Sequence, residues 1–110
     1  MRKQLGQLRP ANTSAASLYS PADARGYGVD VVACNVSAAN VDVSIFHDKD
    51  GTTYDETTAL VFTHTLAKGE TLSLSKIISD YLEDGNVGVQ SSVANAANFT
   101  AYGEEAGDRV

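Results

Sequence analysis

From Ala16 to the C-terminal region, apolar residues recur in short alternating runs separated by turn-forming residues. Period-two alternation places successive side chains on opposite faces of an extended chain, so it predicts strands. Ala16–Tyr19 is a short strand stopped by Ser20-Pro21 and a polar turn over Asp23–Gly26. Tyr27–Val36 (YGVDVVACNV) is apolar and β-branched, the composition of a strand inside a sheet. Val41–His47 (VDVSIFH) sets Val41, Val43 and Ile45 on one side and Asp42 and Ser44 on the other. The short polar loop Ser37–Asn40 between them predicts an antiparallel hairpin. Asp48–Thr58 is a polar excursion, and Ala59–Leu66 resumes as a strand with His64 on the parity opposite Leu60, Phe62 and Leu66. Glu70–Ser75 follows, with Leu72 and Leu74 on one face. Lys76–Leu82 spaces Ile77, Ile78, Tyr81 and Leu82 as one or two helical turns ended by Asp84-Gly85. Asn86–Val93 and Asn98–Glu104 complete the set.

About seven or eight short strands at regular spacing, with almost no helix, predict an all-β fold. A β-sandwich, jelly-roll-like or immunoglobulin-like, is the expected architecture, although no Cys…Trp…Cys pattern supports a true immunoglobulin domain. Residues 1–15 (MRKQLGQLRPANTSA) have no sustained period and read as an extended arm. The sandwich is expected over 16–104 and a polar tail over 105–110.

Composition narrows the function. A chain of 110 residues holds one domain, and its 43% hydrophobic content is close to the globular norm. There is no Trp, so few aromatic platforms are available. A net charge of −6 argues against nucleic acid as a partner of the folded body. That charge is split: residues 1–9 carry Arg2, Lys3 and Arg9 and no acid, while the rest holds 14 acidic residues. Arg2, Lys3, Leu5, Leu8 and Arg9 are therefore the candidate partner-binding residues, a cationic arm against an anionic neighbour. No apolar run is long enough to span a membrane, and the first residues lack the apolar core of a signal peptide, so synthesis in a cytoplasm and no membrane partner are expected.

Candidate chemistry is thin. Asp48, Asp50, Asp55 and Glu56 gather oxygen ligands on one turn, a weak calcium candidate. Lys49 lies among them and no helices flank the loop, so a surface hairpin turning at Asp50-Gly51 is the preferred reading. His47 and His64 stand on different strands without a metal or catalytic spacing, and Cys34 reads as a buried structural thiol. Sequons begin at Asn12, Asn35 and Asn98. No catalytic constellation is found, so no enzyme activity and no cofactor are expected.

Leu5, Gly6, Gln7 and Pro10, then Ser17, Leu18 and Tyr19, then Cys34 and Asn35, then Ile45 through Leu60, then Phe99, Thr100, Tyr102 and Gly103 form a pattern spread along most of the chain. It resembles a family of small virion structural proteins encoded by tailed phages (LGQxxP…SLY, IFxDxDGTTYDxxTAL, FTxYG). The resemblance implies a particle component located in the virion. Combined with the arm, it leads to the expectation of a capsid decoration (cement) protein that binds the major capsid protein and clusters as a trimer or dimer. A neck, tail or baseplate component and a carbohydrate- or receptor-binding module are the alternatives.

Overall fold

Eight strands, and no helix among the described residues, account for the alternating segments in the structure, a computed structural model that describes residues 3–19, 26–48, 53–79 and 86–105. In chain order they are β1 (Lys3–Leu8), β2 (Ala16–Tyr19), β3 (Gly26–Asn35), β4 (Val41–Asp48), β5 (Ala59–Leu66), β6 (Thr71–Ser79), β7 (Asn86–Ser91) and β8 (Ala97–Glu105). They form two antiparallel sheets, ordered β1-β8-β3-β6 and β2-β7-β4-β5. The first strand pairs with the last, the second with the seventh, the third with the sixth and the fourth with the fifth. That is one long hairpin, folded back between β4 and β5 and rolled over itself, which is the jelly-roll topology rather than the immunoglobulin one.

The expected hairpin between Val41–His47 and the segment before it does not form. β3 pairs with β6 and β8, whereas β4 pairs with β5 and β7 in the opposite sheet. Each strand thereby gains two neighbours instead of one. The helix expected over Lys76–Leu82 is also replaced, as far as Ser79, by strand. Ile77 pairs with Val29 and Ser79 with Gly26, and sheet pairing of β-branched residues outweighs an isolated helical turn. Residues 80–85 lie outside the described residues.

The core lies between the sheets. Val29, Val31 and Ala33 of β3 and Phe99 and Ala101 of β8 face Val41, Val43 and Ile45 of β4 and Val87 and Val89 of β7, all essentially fully buried. Each of the larger side chains, Val, Ile or Phe, contributes about 1.5–3 kcal/mol of transfer free energy. The alternation read from VDVSIFH is thus the alternation between core and outer face.

Residues 3–8 are not a free arm. Lys3–Leu8 is an edge strand paired to β8, and Leu5 and Leu8 pack against the core. The physical reason is the apolar content of QLGQL: two leucines near a sheet edge gain more from burial than from solvent. An extra residue, Leu5, bulges the pairing between Gln4 and Gly6. Gly6 faces the backbone carbonyl of Leu18 so closely that any Cβ there would collide with it. Absence of a side chain at position 6 lets β1 of one sheet abut β2 of the other, closing that side of the sandwich.

Candidate binding site

The expected site residues lie on three parts of this frame. Of the partner-binding set, Leu5 and Leu8 face inward, and exposed Arg9 donates from Nε to Asn98 Oδ1 at 2.6 Å. Lys3 belongs to β1 by its backbone, and Arg2 lies outside the described residues.

Asp48, at the end of β4, is buried and accepts the Thr53 N–H at Oδ2 (2.8 Å). Asp55 and Glu56 are exposed, and Asp50 lies outside the described residues. The Asp55 carboxylate accepts the Thr57 hydroxyl (2.6 Å) and the Thr57 N–H (2.8 Å) at Oδ1, and these bonds hold it below the usual carboxylate range. Asp48 and Asp55 act as local caps of the 53–58 turn. Among the described residues no three His, Cys, Asp or Glu side chains gather where a metal ion could be held. Asn86, the cross-strand partner of Asp48, has a buried Oδ1 without a hydrogen-bond partner.

His47 is half-buried, and burial pushes its imidazole below the ordinary 6.5 although Asp48 pulls the other way. His64 is exposed on β5. Cys34 is free and half-buried rather than fully buried, because Val31, Ala33 and Asn35 take the inward positions of β3. Asn35 is no glycosylation site in the folded chain. It is 1% exposed, its Nδ2 donates to Ala39 O (2.7 Å) and Leu66 O (2.9 Å), and its Oδ1 accepts the Ser37 N–H and hydroxyl.

The parity predicted for Ala59–Leu66 fails within the strand. β5 carries extra residues relative to β4 at two places, between Val61 and His64 and between Ala59 and Val61. As a result Leu60 and Phe62 are 48% and 52% exposed, and Val61 packs against the core instead. Thr63 sits in the first of these irregularities with φ of 49°, a left-handed conformation that β-branched residues rarely adopt. Its N–H donates to the buried Ser44 hydroxyl at 2.9 Å.

Outward-facing residues of β4 and β7 meet in pairs, Ser44 beside Gln90 and Phe46 beside Gly88. At the Phe46 end the 53–58 turn closes over the sheet, bringing the Tyr54 ring 6.0 Å from that of Phe46. At the Ser44 end lies a depression of about 260 Å³ lined by Asp42, Ser44, Phe62, Thr63, Gln90 and Ser92. No local pattern announces it, because two inserted residues and one left-handed threonine decide where Phe62 points.

No family model matches the chain, and no curated protein matches it. Solved structures do. A protein of Bacillus endospore appendages, described as a family of disulfide-linked pili, superposes with a TM-score of 0.56 at 16% identity, over 94% of this chain and 83% of that one. A capsid structure of a Helicobacter pylori bacteriophage gives 0.48 at 12% identity, over 94% of each chain. The coat protein of Tobacco streak virus gives 0.47 at 12% identity, over 96% of this chain and 87% of that one. At such identities the appendage match establishes a shared fold and nothing further.

Proposed function

We propose that this chain is a bacteriophage virion structural protein, a capsid decoration (cement) protein that stabilises the head by binding the major capsid protein. One observation carries the reading. Positions that make up the tailed-phage pattern do structural work in this fold: Gly6 admits β1 beside Leu18, Asn35 ties two loops together, Tyr54 covers the outer face and Phe99 fills the core. A pattern whose members lock a scaffold, with no acid–base or nucleophilic set among them, suits a protein that works by its surface. The similarity of fold to a subunit of an assembled appendage supports the same class.

With Leu5 and Leu8 packed inward, attachment is assigned to the end of the sandwich that carries the β3–β4 and β7–β8 loops. Val36 and Val93 are 46% and 45% exposed there, and the Val36 N–H donates to Ala96 O (2.9 Å), so the two loops form one rigid surface. Two apolar side chains on a fixed, tied surface are anchors that a partner protein can cover. A net charge of −6 keeps crowded copies soluble and disfavours contact with packaged DNA.

Cryo-electron microscopy of the virion tests the reading. Density for this fold on the head, lost with Val36→Asp/Val93→Asp, is expected; density only at the neck, tail or baseplate would overturn the decoration role in favour of that alternative.

A further inference from the structure

The outer face of the β2-β7-β4-β5 sheet is divided in two: one half buried under Tyr54, the other left as the depression over Ser44. Three features of the open half point to a ligand. First, Phe62 presents a ring that is 52% exposed, although simple alternation would allow it to turn inward. Leaving such a ring in water forfeits burial that neighbouring Val61 obtains. Second, the turn-out is fixed by backbone strain. Thr63 at φ 49° is in a conformation unfavourable for a β-branched residue, and it is held by its N–H on Ser44 Oγ (2.9 Å) and by its own hydroxyl on Phe62 O (2.8 Å).

Third, the polar groups beside Phe62 are already oriented. Asp42 Oδ1 accepts the Thr65 hydroxyl (2.7 Å), Ser92 Oγ accepts the Asp42 N–H (2.9 Å), and Gln90 Nε2 donates to Thr13 O (2.9 Å). Groups fixed in advance lose little freedom when a ligand arrives.

An exposed aromatic face beside a fixed carboxylate, carboxamide and hydroxyls matches one chemical class. A pyranose ring offers an apolar C–H face for stacking and a rim of hydroxyls that both donate and accept. The volume, about 260 Å³, lies just below the range of drug-sized pockets and suits a single ring. Asp42 in the wall and a net charge of −6 select against anionic sugars and phosphates. We propose that this depression binds one neutral hexopyranose ring, stacked on Phe62 and hydrogen-bonded by Asp42, Gln90 and Ser92. The site does not depend on the virion assignment; it adjoins the Val36–Val93 end through Ser92, which lies next to Val93 in the β7–β8 loop.

The test is a nuclear magnetic resonance titration of the isotope-labelled full chain. The probes are the methyl glycosides of glucose, galactose, mannose and N-acetylglucosamine, with the methyl glycoside of N-acetylneuraminic acid as the anionic control. Expected is a saturable shift of the Ser44, Phe62–Thr65 and Gln90–Ser92 amides with at least one neutral glycoside, in the millimolar range usual for a single weakly held ring. Phe62→Ala, an exposed position whose loss leaves the melting temperature nearly unchanged, weakens that binding by about tenfold or more, and Phe62→Trp retains it. No saturable shift with any neutral glycoside, binding indifferent to Phe62→Ala, or equal binding of the anionic control would overturn the proposal.

Discussion

The Tyr54 ring occupies the space that a side chain at Gly88 would fill. A Cβ built on Gly88 would come within 2.7 to 2.8 Å of three ring carbons of Tyr54. Gly88 is the cross-strand partner of Phe46, so the missing side chain on one strand makes room for the ring that shelters its neighbour on the next. The turn that delivers Tyr54 is pinned at its base, with Thr53 N–H on Asp48 Oδ2 (2.8 Å) and the Thr58 hydroxyl on Thr53 O (3.0 Å).

Gly88→Ala should therefore destabilise the protein by about 1–3 kcal/mol, the usual cost of overpacking. The sign is informative, since Ala in place of Gly within a strand is otherwise favourable by roughly 0.5–1 kcal/mol. Urea unfolding in the wild type and in a Tyr54→Ala background checks it: without the ring, Gly88→Ala becomes neutral or stabilising. Equal losses in both backgrounds would show that the ring is not the obstacle.

Asn35→Ala leaves the Leu66 and Ala39 carbonyls and the Ser37 N–H without the partner they have now. Ala39 O keeps the Ser37 hydroxyl, so the lost bonds around this buried side chain set the cost at about 1–3 kcal/mol. Asn35→Asp should not restore stability, because a carboxylate can accept from Ser37 but cannot donate to the two carbonyls. Recovery of full stability by Asp, read from denaturant midpoints, would contradict the network.

At the closed side of the sandwich, Gly6→Ala forces a methyl group against a backbone carbonyl, which cannot rotate away as a side chain can. Separation of β1 from β2 follows, at about 1–3 kcal/mol. Hydrogen exchange should quicken selectively in the β1–β8 pairing, with the β4–β7 amides little changed.

His47 gives the stability a pH dependence. Its folded-state pKa lies below the ordinary 6.5, so between the two values the unfolded chain binds more protons. Stability from this group is complete above 6.5 and falls as the pH drops through 6.5 toward the folded value. Asp55, with a pKa held below 3.8, acts in a separate and more acidic window. Melting temperatures measured between about pH 7.5 and 5 should decline for the wild type and decline less for His47→Gln.

Fold class was legible because VDVSIFH and the apolar run before it alternate as a two-sheet core requires. Pairing was not. A short polar loop after Asn35 looks like a hairpin turn, yet Asn35 uses that loop to carry the chain from one sheet to the other, bonding Ala39 on one side and Leu66 on the other. Residues 1–9 misled in another way: their charge suggested an arm, and two leucines in a six-residue strand outweighed it. Phe62 shares the parity of buried Leu66, and parity is lost where β5 holds more residues than its partner. Local periodicity cannot count residues on the opposing strand.

The pairing of Lys3–Leu8 with the far end of the chain has a consequence in time. During synthesis β1 is made before the other seven described strands and lacks its β8 partner until Ala97–Glu105 exists, so its edge is held open while the strands between are translated. β4 and β5, consecutive in the chain, can pair long before that. Closure must then run outward from the middle of the sequence and end at β1 against β8, a slow route built almost wholly on distant contacts. A chaperone or a neighbouring subunit that reaches a half-made chain would meet the unpaired first strand, and the order of closure leaves that strand exposed longest.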